Sequence, residues 1–183
     1  MILFMRMWLV LAILALAGCG SDLGTAPSPT SKKPSEGPKA EANSIRGRAT
    51  IRLRGESWDQ ILRGMELVLV PASAKDEIIA VRDRTWRERA VDFDYSNGAR
   101  NLDLVSIGLK AVSLKTDLVK TDAEGYYIFQ KVKPGKYLIY GQYKSRYALG
   151  YWLVDVEVKD GQSTVVNLKN DNMKEVYNVI SSH

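Results

Sequence analysis

Lys120-Thr121-Asp122-Ala123-Glu124-Gly125-Tyr126-Tyr127-Ile128-Phe129-Gln130-Lys131-Val132-Lys133-Pro134-Gly135-Lys136-Tyr137 sets two turn signals around one short aromatic strand. Asp122 opens a type I turn, and Gly125 supplies the positive φ that closes it. Tyr126 to Phe129 is rich in strand-forming rings. Pro134-Gly135 is a second turn, and Tyr137 to Tyr143 reads as the next strand. Outward from this block the period stays two. Ile45, Gly47, Ala49, Ile51 and Leu53 alternate with Arg46, Arg48, Thr50, Arg52 and Arg54, a strand with one buried face. Met65, Leu67 and Leu69 repeat the pattern before Pro71. Val154, Val156 and Val158 do so before Asp160-Gly161, a hairpin turn that Thr164 to Leu168 would close. Short strands between Gly and Pro turns predict an all-β protein, an antiparallel sandwich of about seven strands.

Two stretches break the strand pattern. In the insertion 71–115, Ser73-Ala74-Lys75-Asp76 is a weak helix cap, and Ile78, Val81, Trp86 and Ala90 share one helical face. Leu102 to Leu114 is apolar and fits helix or strand. In 171–181, Met173, Val176, Tyr177 and Ile180 have helical spacing, which predicts a short C-terminal helix.

The start of the chain reads as an address. Arg6 precedes an apolar run, Met7 to Ala17, too short for a stable span of about 20 residues. It fits the core of a secretory signal, residues 1–18. Charge first is the usual order, so Met5 is an alternative start. From 19 to 44 the chain is a linker. It holds four of the six prolines, and its three lysines balance its three acids. Such composition predicts a disordered spacer ahead of the domain, 45–183.

Leu16-Ala17-Gly18-Cys19 resembles the lipobox of bacterial lipoproteins. The resemblance implies cleavage before Cys19, recognition through Leu16, Ala17 and Gly18, and a diacylglycerol and an N-acyl chain on Cys19. Two or three chains suffice for stable anchoring. Gly20, with Asp only at 22, favours the outer membrane, the domain facing periplasm or surface. The block 120–139, with Gly64 to Leu69 and Val154 to Leu168, resembles the carboxypeptidase regulatory-like domain. That family implies a transthyretin-like sandwich of the plan that Cna-B-type repeats share. The insertion 71–115 departs from its pattern.

Composition removes several activities. The chain has 183 residues, a net charge of +5, 1 Cys and 1 His. One Cys excludes an internal disulfide, and a single His183 leaves no His-based triad or multi-His metal site. No cofactor or metal is expected. Asp92 to Gly98 spaces its oxygens poorly for calcium. The pairs Asp122/Glu124 and Asp155/Glu157 belong to a turn and to a strand's polar face, so no catalytic residue is expected. The Arg46–Arg48–Arg52–Arg54 stripe, with Arg63, reads as a solvated face, or as a surface for acidic envelope polymers. Nucleic acid does not fit behind a secretion signal. The expectation is a non-enzymatic module for a protein partner, bound by the insertion with Trp58 and Trp86. A polysaccharide partner is the alternative, met by exposed rings of the 137–152 cluster, Tyr147 and Trp152 foremost.

Overall fold

The computed structural model describes residues 37–39, 41–89, 103–145 and 148–177, without the side chains of 85–89 and 175–177. The signal segment, Leu16 to Cys19, the loop 92–98, Tyr147 and the Trp86 side chain lie outside the described residues.

Ten strands are present among the described residues. They are β1 (Ser44–Arg48), β2 (Thr50–Ile51), β3 (Gln60–Ile61), β4 (Glu66–Pro71), β5 (Asp117–Lys120), β6 (Tyr126–Phe129), β7 (Gly135–Lys144), β8 (Leu149–Val158), β9 (Ser163–Val165) and β10 (Met173–Tyr177). One sheet runs β6-β1-β9, and the other runs β10-β8-β7-β4-β5, antiparallel throughout. A small β2-β3 pair continues β1 at one end. The insertion carries α1 (Lys75–Arg89) and α2 (Leu104–Ser113). The sandwich is therefore the all-β fold that the alternation predicts, with a helical insertion.

Parity explains the layers. Ile45, Tyr127, Phe129, Leu67, Leu69, Ile139, Trp152, Val156 and Val158 meet between the two sheets. The opposite face of the five-stranded sheet is also buried. There Val68, Val70, Leu138, Tyr140, Tyr151 and Leu153 pack against Ala74, Ile78, Leu104, Ile107 and Ala111. This is why Leu67 to Val70 is a continuous apolar run: both faces of β4 are covered. The molecule has three layers: small sheet, large sheet, helices.

The Asp122 turn forms as read. The Asp122 carboxylate accepts from the N–H groups of Glu124 (3.0 Å) and Tyr126 (2.7 Å). Gly125 has φ +80°, and a Cβ there would sit 2.9 Å from the Ala49 carbonyl oxygen. The turn joins β5 of the large sheet to β6 of the small one, so it is a corner between sheets.

Three expectations need correction. The chain after Asp160-Gly161 does not close a hairpin on β8. It crosses to the small sheet, where β9 pairs with β1 in parallel. The Asn43 side chain accepts from Gly161 N–H (2.7 Å), and Ser44 Oγ lies 3.0 Å from Ser163 Oγ, which draws the chain across. Residues 173–177 form β10, not a helix. They satisfy the open edge of β8, Met173 opposite Trp152, and an open edge of N–H and C=O groups is a stronger demand than helical spacing. Trp152 is fully buried, as described below.

The parallel β1-β9 contact depends on a missing side chain. A Cβ at Gly47 would stand 1.7 Å from the Val166 carbonyl oxygen. Relief would pull β9 off β1 and break the bonds from Val166 N–H to Arg46 (2.8 Å) and Leu168 N–H to Arg48 (2.9 Å). Gly47→Ala is expected to cost about 3 kcal/mol or more in urea unfolding. An unchanged midpoint would refute this account of the strand crossing.

Candidate functional site

Among the described residues, the large exposed apolar side chains give two surfaces and an isolated Val165 on β9. The first is Trp58, 63% exposed in the loop between β2 and β3. Its loop is fixed on both sides. Arg52 pairs with Asp59 at 2.7 Å, and the Glu56 carboxylate accepts from Gln60 Nε2 at 2.9 and 3.0 Å. Asn170 clamps Arg52 through both its side-chain atoms, accepting from Arg52 N–H and donating to Arg52 O, each at 2.8 Å. A ring presented on a braced loop loses little entropy on binding.

The second surface is the outward side of α2. Val105 is 63%, Leu109 66% and Val112 37% exposed, at the i, i+4, i+7 spacing of one stripe. The inward side, Leu104, Ile107 and Ala111, is buried on the sheet. The helix is held by its cap: Asp103 accepts from Ser106 N–H (3.0 Å) and Ser106 Oγ (2.7 Å). Lys110 Nζ reaches Glu77 of α1 at 2.6 Å, and Lys75 Nζ reaches Asp155 of β8 at 2.8 Å. An α2 apolar on both sides explains why 102–114 was ambiguous from its sequence.

The aromatic cluster is mostly core. Trp152 is 0% exposed, and its Nε1–H donates to Lys169 O at 2.8 Å. Tyr140 and Tyr151 lie under the helices, their rings 6.2 Å apart. Burial pushes the Tyr140 phenol well above its ordinary range, with a smaller contribution from Tyr151. Tyr137 and Tyr143 are half-buried against the inter-sheet core. Trp152 is therefore no candidate for partner contact, and the described rings of the cluster form no exposed platform. Its parity was legible: counting back by two from Val158, Val156 and Val154 reaches Trp152.

The Arg stripe is largely engaged within the molecule. Arg46 Nη1 donates to Pro38 O at 2.7 Å. Arg48 Nε donates to Glu124 O at 2.8 Å, and its guanidinium lies 5.1 Å from the Tyr126 ring centre. Gly37 sits against Tyr126, so residues 37–38 lie over the small sheet. The carboxylate pairs do not converge. Asp122 and Glu124 belong to the β5–β6 corner, and Asp155 and Glu157 to β8, with β7 and β4 between. Among the described residues, no group of three His, Cys, Asp or Glu is placed to hold a metal. No described helix is long and apolar enough to cross a membrane.

A cleft of about 330 Å³ opens between the sheets at the β5 edge. Thr116, Asp117, Gln130, Lys131, Lys133 and Tyr137 contribute to its walls. Sequence reasoning missed it, because three separate segments, at Leu69, 116–117 and 130–137, build it.

No family model matches the chain, and no curated protein does. Among solved structures, it is similar to a Pseudomonas aeruginosa protein described as a candidate carbohydrate binder. The TM-score is 0.46 at 18% identity, over 73% of this chain and 91% of that one. It is also similar to the major pilin subunit BcpA of Bacillus cereus (TM-score 0.37, 15% identity, 70% of this chain). The major pilin SpaD of Corynebacterium diphtheriae gives 0.38, 14% and 70%. The chain spans 30% and 31% of those two pilins.

Proposed function

We propose that the chain is a bacterial envelope lipoprotein whose domain, of carboxypeptidase regulatory-like type, is a non-enzymatic binding or scaffolding module for a protein partner. Acyl chains on Cys19 anchor it in the outer membrane. The Pro- and Ser-rich linker sets the domain a root-mean-square distance of roughly 25–30 Å from the lipid. The partner docks on the helical layer, with Trp58 as a further anchor. One observation carries this reading: α2 already covers the sheet with one side, yet leaves Val105, Leu109 and Val112 to solvent on the other. An apolar stripe on a helix suits a protein partner's own apolar groove or helix. Residues 37–38 lie on the small sheet, the face opposite the helices, and leave the helical layer uncovered.

Two experiments test the two halves. Cys19→Ala is expected to abolish palmitate labelling and to release the protein from membranes into the soluble fraction. Retention in washed membranes would sink the anchor. Val105→Asp with Leu109→Asp should leave the melting temperature within a few degrees, because both positions are exposed. The pair should lower cross-linking to a defined envelope protein at least about tenfold. Full cross-linking by a folded double variant would remove the helical layer as the docking face.

A further inference from the structure

We propose that the cleft at the β5 edge binds a saccharide carrying a carboxylate. This site is separate from α2 and Trp58, and it does not rest on the protein-partner reading. Its floor follows from register. Asp117 stands opposite Leu69, whose side chain is in the inter-sheet core, so Asp117 shares that inner face. One Asp117 oxygen accepts from Leu118 N–H at 2.8 Å; the carboxylate is half-buried. Thr116 and Gln130 add a hydroxyl and an amide, the amide also donating to Glu41 at 3.5 Å, and the half-buried Tyr137 closes one wall. Carboxylate, amide and hydroxyl groups take sugar hydroxyls. The size lies at the low end for ligand pockets, room for one or two rings.

The rim supplies the charge. Lys131 and Lys133 both line the cleft and are exposed, and neither has an acidic partner within 4.0 Å among the described residues. Two ammonium groups on the rim, set against the single Asp117 carboxylate of the floor, favour a sugar whose carboxylate lies at the rim while its hydroxyls face Asp117.

Backbone geometry singles out Lys131. The described non-glycine residues with positive φ are Asn43 (55°) and Lys131 (54°). Asn43 has a structural reason: its side chain bonds Gly161 N–H, and its carbonyl accepts from Val132 N–H (2.8 Å). Asn is also enriched in this region, whereas Lys adopts it uncommonly. At 131 glycine would relieve the strain, yet the side chain kept there is a cation on the rim of the cleft. Strain retained where a side chain faces a site is what a binding role produces. Tyr137 stiffens the segment by donating its hydroxyl to Lys133 O at 2.9 Å.

The test uses the full-length chain in detergent with α-1,4-digalacturonate, and with its neutral counterpart galabiose, by calorimetry and amide NMR. Digalacturonate should bind at least about tenfold tighter, with shifts centred on 116–118 and 130–137, and should weaken at high salt. Lys131→Ala and Lys133→Ala should each cost about tenfold, and Lys159→Ala nothing. Lys131→Gly should raise the melting temperature while losing the same affinity, which separates strain from binding. The proposal is overturned by no binding of digalacturonate or by equal binding of the two sugars. Shifts elsewhere on the domain, or a Lys131→Gly chain that keeps full affinity, would also overturn it.

Discussion

Excision of residues 75–113, with Ala74 joined to Leu114, is expected to give a chain that is molten or insoluble. The cut is topologically easy. β4 and β5 are antiparallel neighbours, Leu69 opposite Asp117, so the insertion occupies the turn of a hairpin. Thr116 N–H already donates to Leu69 O at 2.7 Å. What forbids it is the face left bare. Val68, Val70, Leu138, Tyr140, Tyr151 and Leu153 would all meet water. Each such side chain contributes about 1.5–3 kcal/mol when buried. Together they amount to about 9–18 kcal/mol, as large as the whole stability of a typical domain. The expected signs are dye binding, retained strand signal in far-ultraviolet circular dichroism and no cooperative melt. Changing Val68, Val70, Leu138 and Leu153 to threonine in the shortened chain should recover a soluble sandwich. A shortened chain that melts cooperatively without those changes would show that the helices cover nothing essential. The consequence for function is practical: the docking reading must be tested by point changes on the outer side of α2, because removing the insertion confounds docking with folding.

The sandwich was legible wherever one buried face alternated with a polar one. Ile45 to Leu53 keeps its buried parity, although the expected single strand divides at Ala49 into β1 and β2, and the Asp122–Gly125 turn is a local pattern that survives tertiary context. The strand crossing was not legible. Asp160-Gly161 looks the same whether the next strand stays in its sheet or leaves it, and Asn43 and Ser44, far away in the chain, decide the matter. The same holds at 173–177, where the unpaired edge of β8 outweighs a spacing that also suits a helix. α2 was ambiguous because its apolar residues serve two surfaces at once. Of the expected contact residues, Trp58 is exposed, whereas Trp152 is core. The cleft left no trace in sequence. Its walls come from Leu69, 116–117 and 130–137, and no one of these stretches displays it alone.

Trp152→Ala is expected to be the most damaging single truncation of a side chain in the domain. The indole is fully buried between the sheets. Gly141 faces it from β7: a Cβ there would touch the Trp152 ring at an ordinary 3.7 Å but clash with Leu67 at 2.6 Å. Truncation would leave a cavity, and large aromatic truncations cost about 3–5 kcal/mol. It would also strand the Lys169 carbonyl, which leads into the turn preceding β10. Trp152→Phe separates the two effects. It fills most of the volume but cannot donate to Lys169 O, so about 1–3 kcal/mol should be lost. If Trp152 were a contact residue, the order would differ: both variants would keep the melting temperature and lose a partner. The core assignment instead requires a drop of about 10 °C or more for alanine, and a smaller one for phenylalanine. Fluorescence supplies an independent check. The emission lost with Trp152→Phe should be blue-shifted and shielded from iodide, while that lost with Trp58→Phe should be red-shifted and freely quenched. A quenchable Trp152 would return it to the surface and, with it, the reading of 137–152 as a platform for rings.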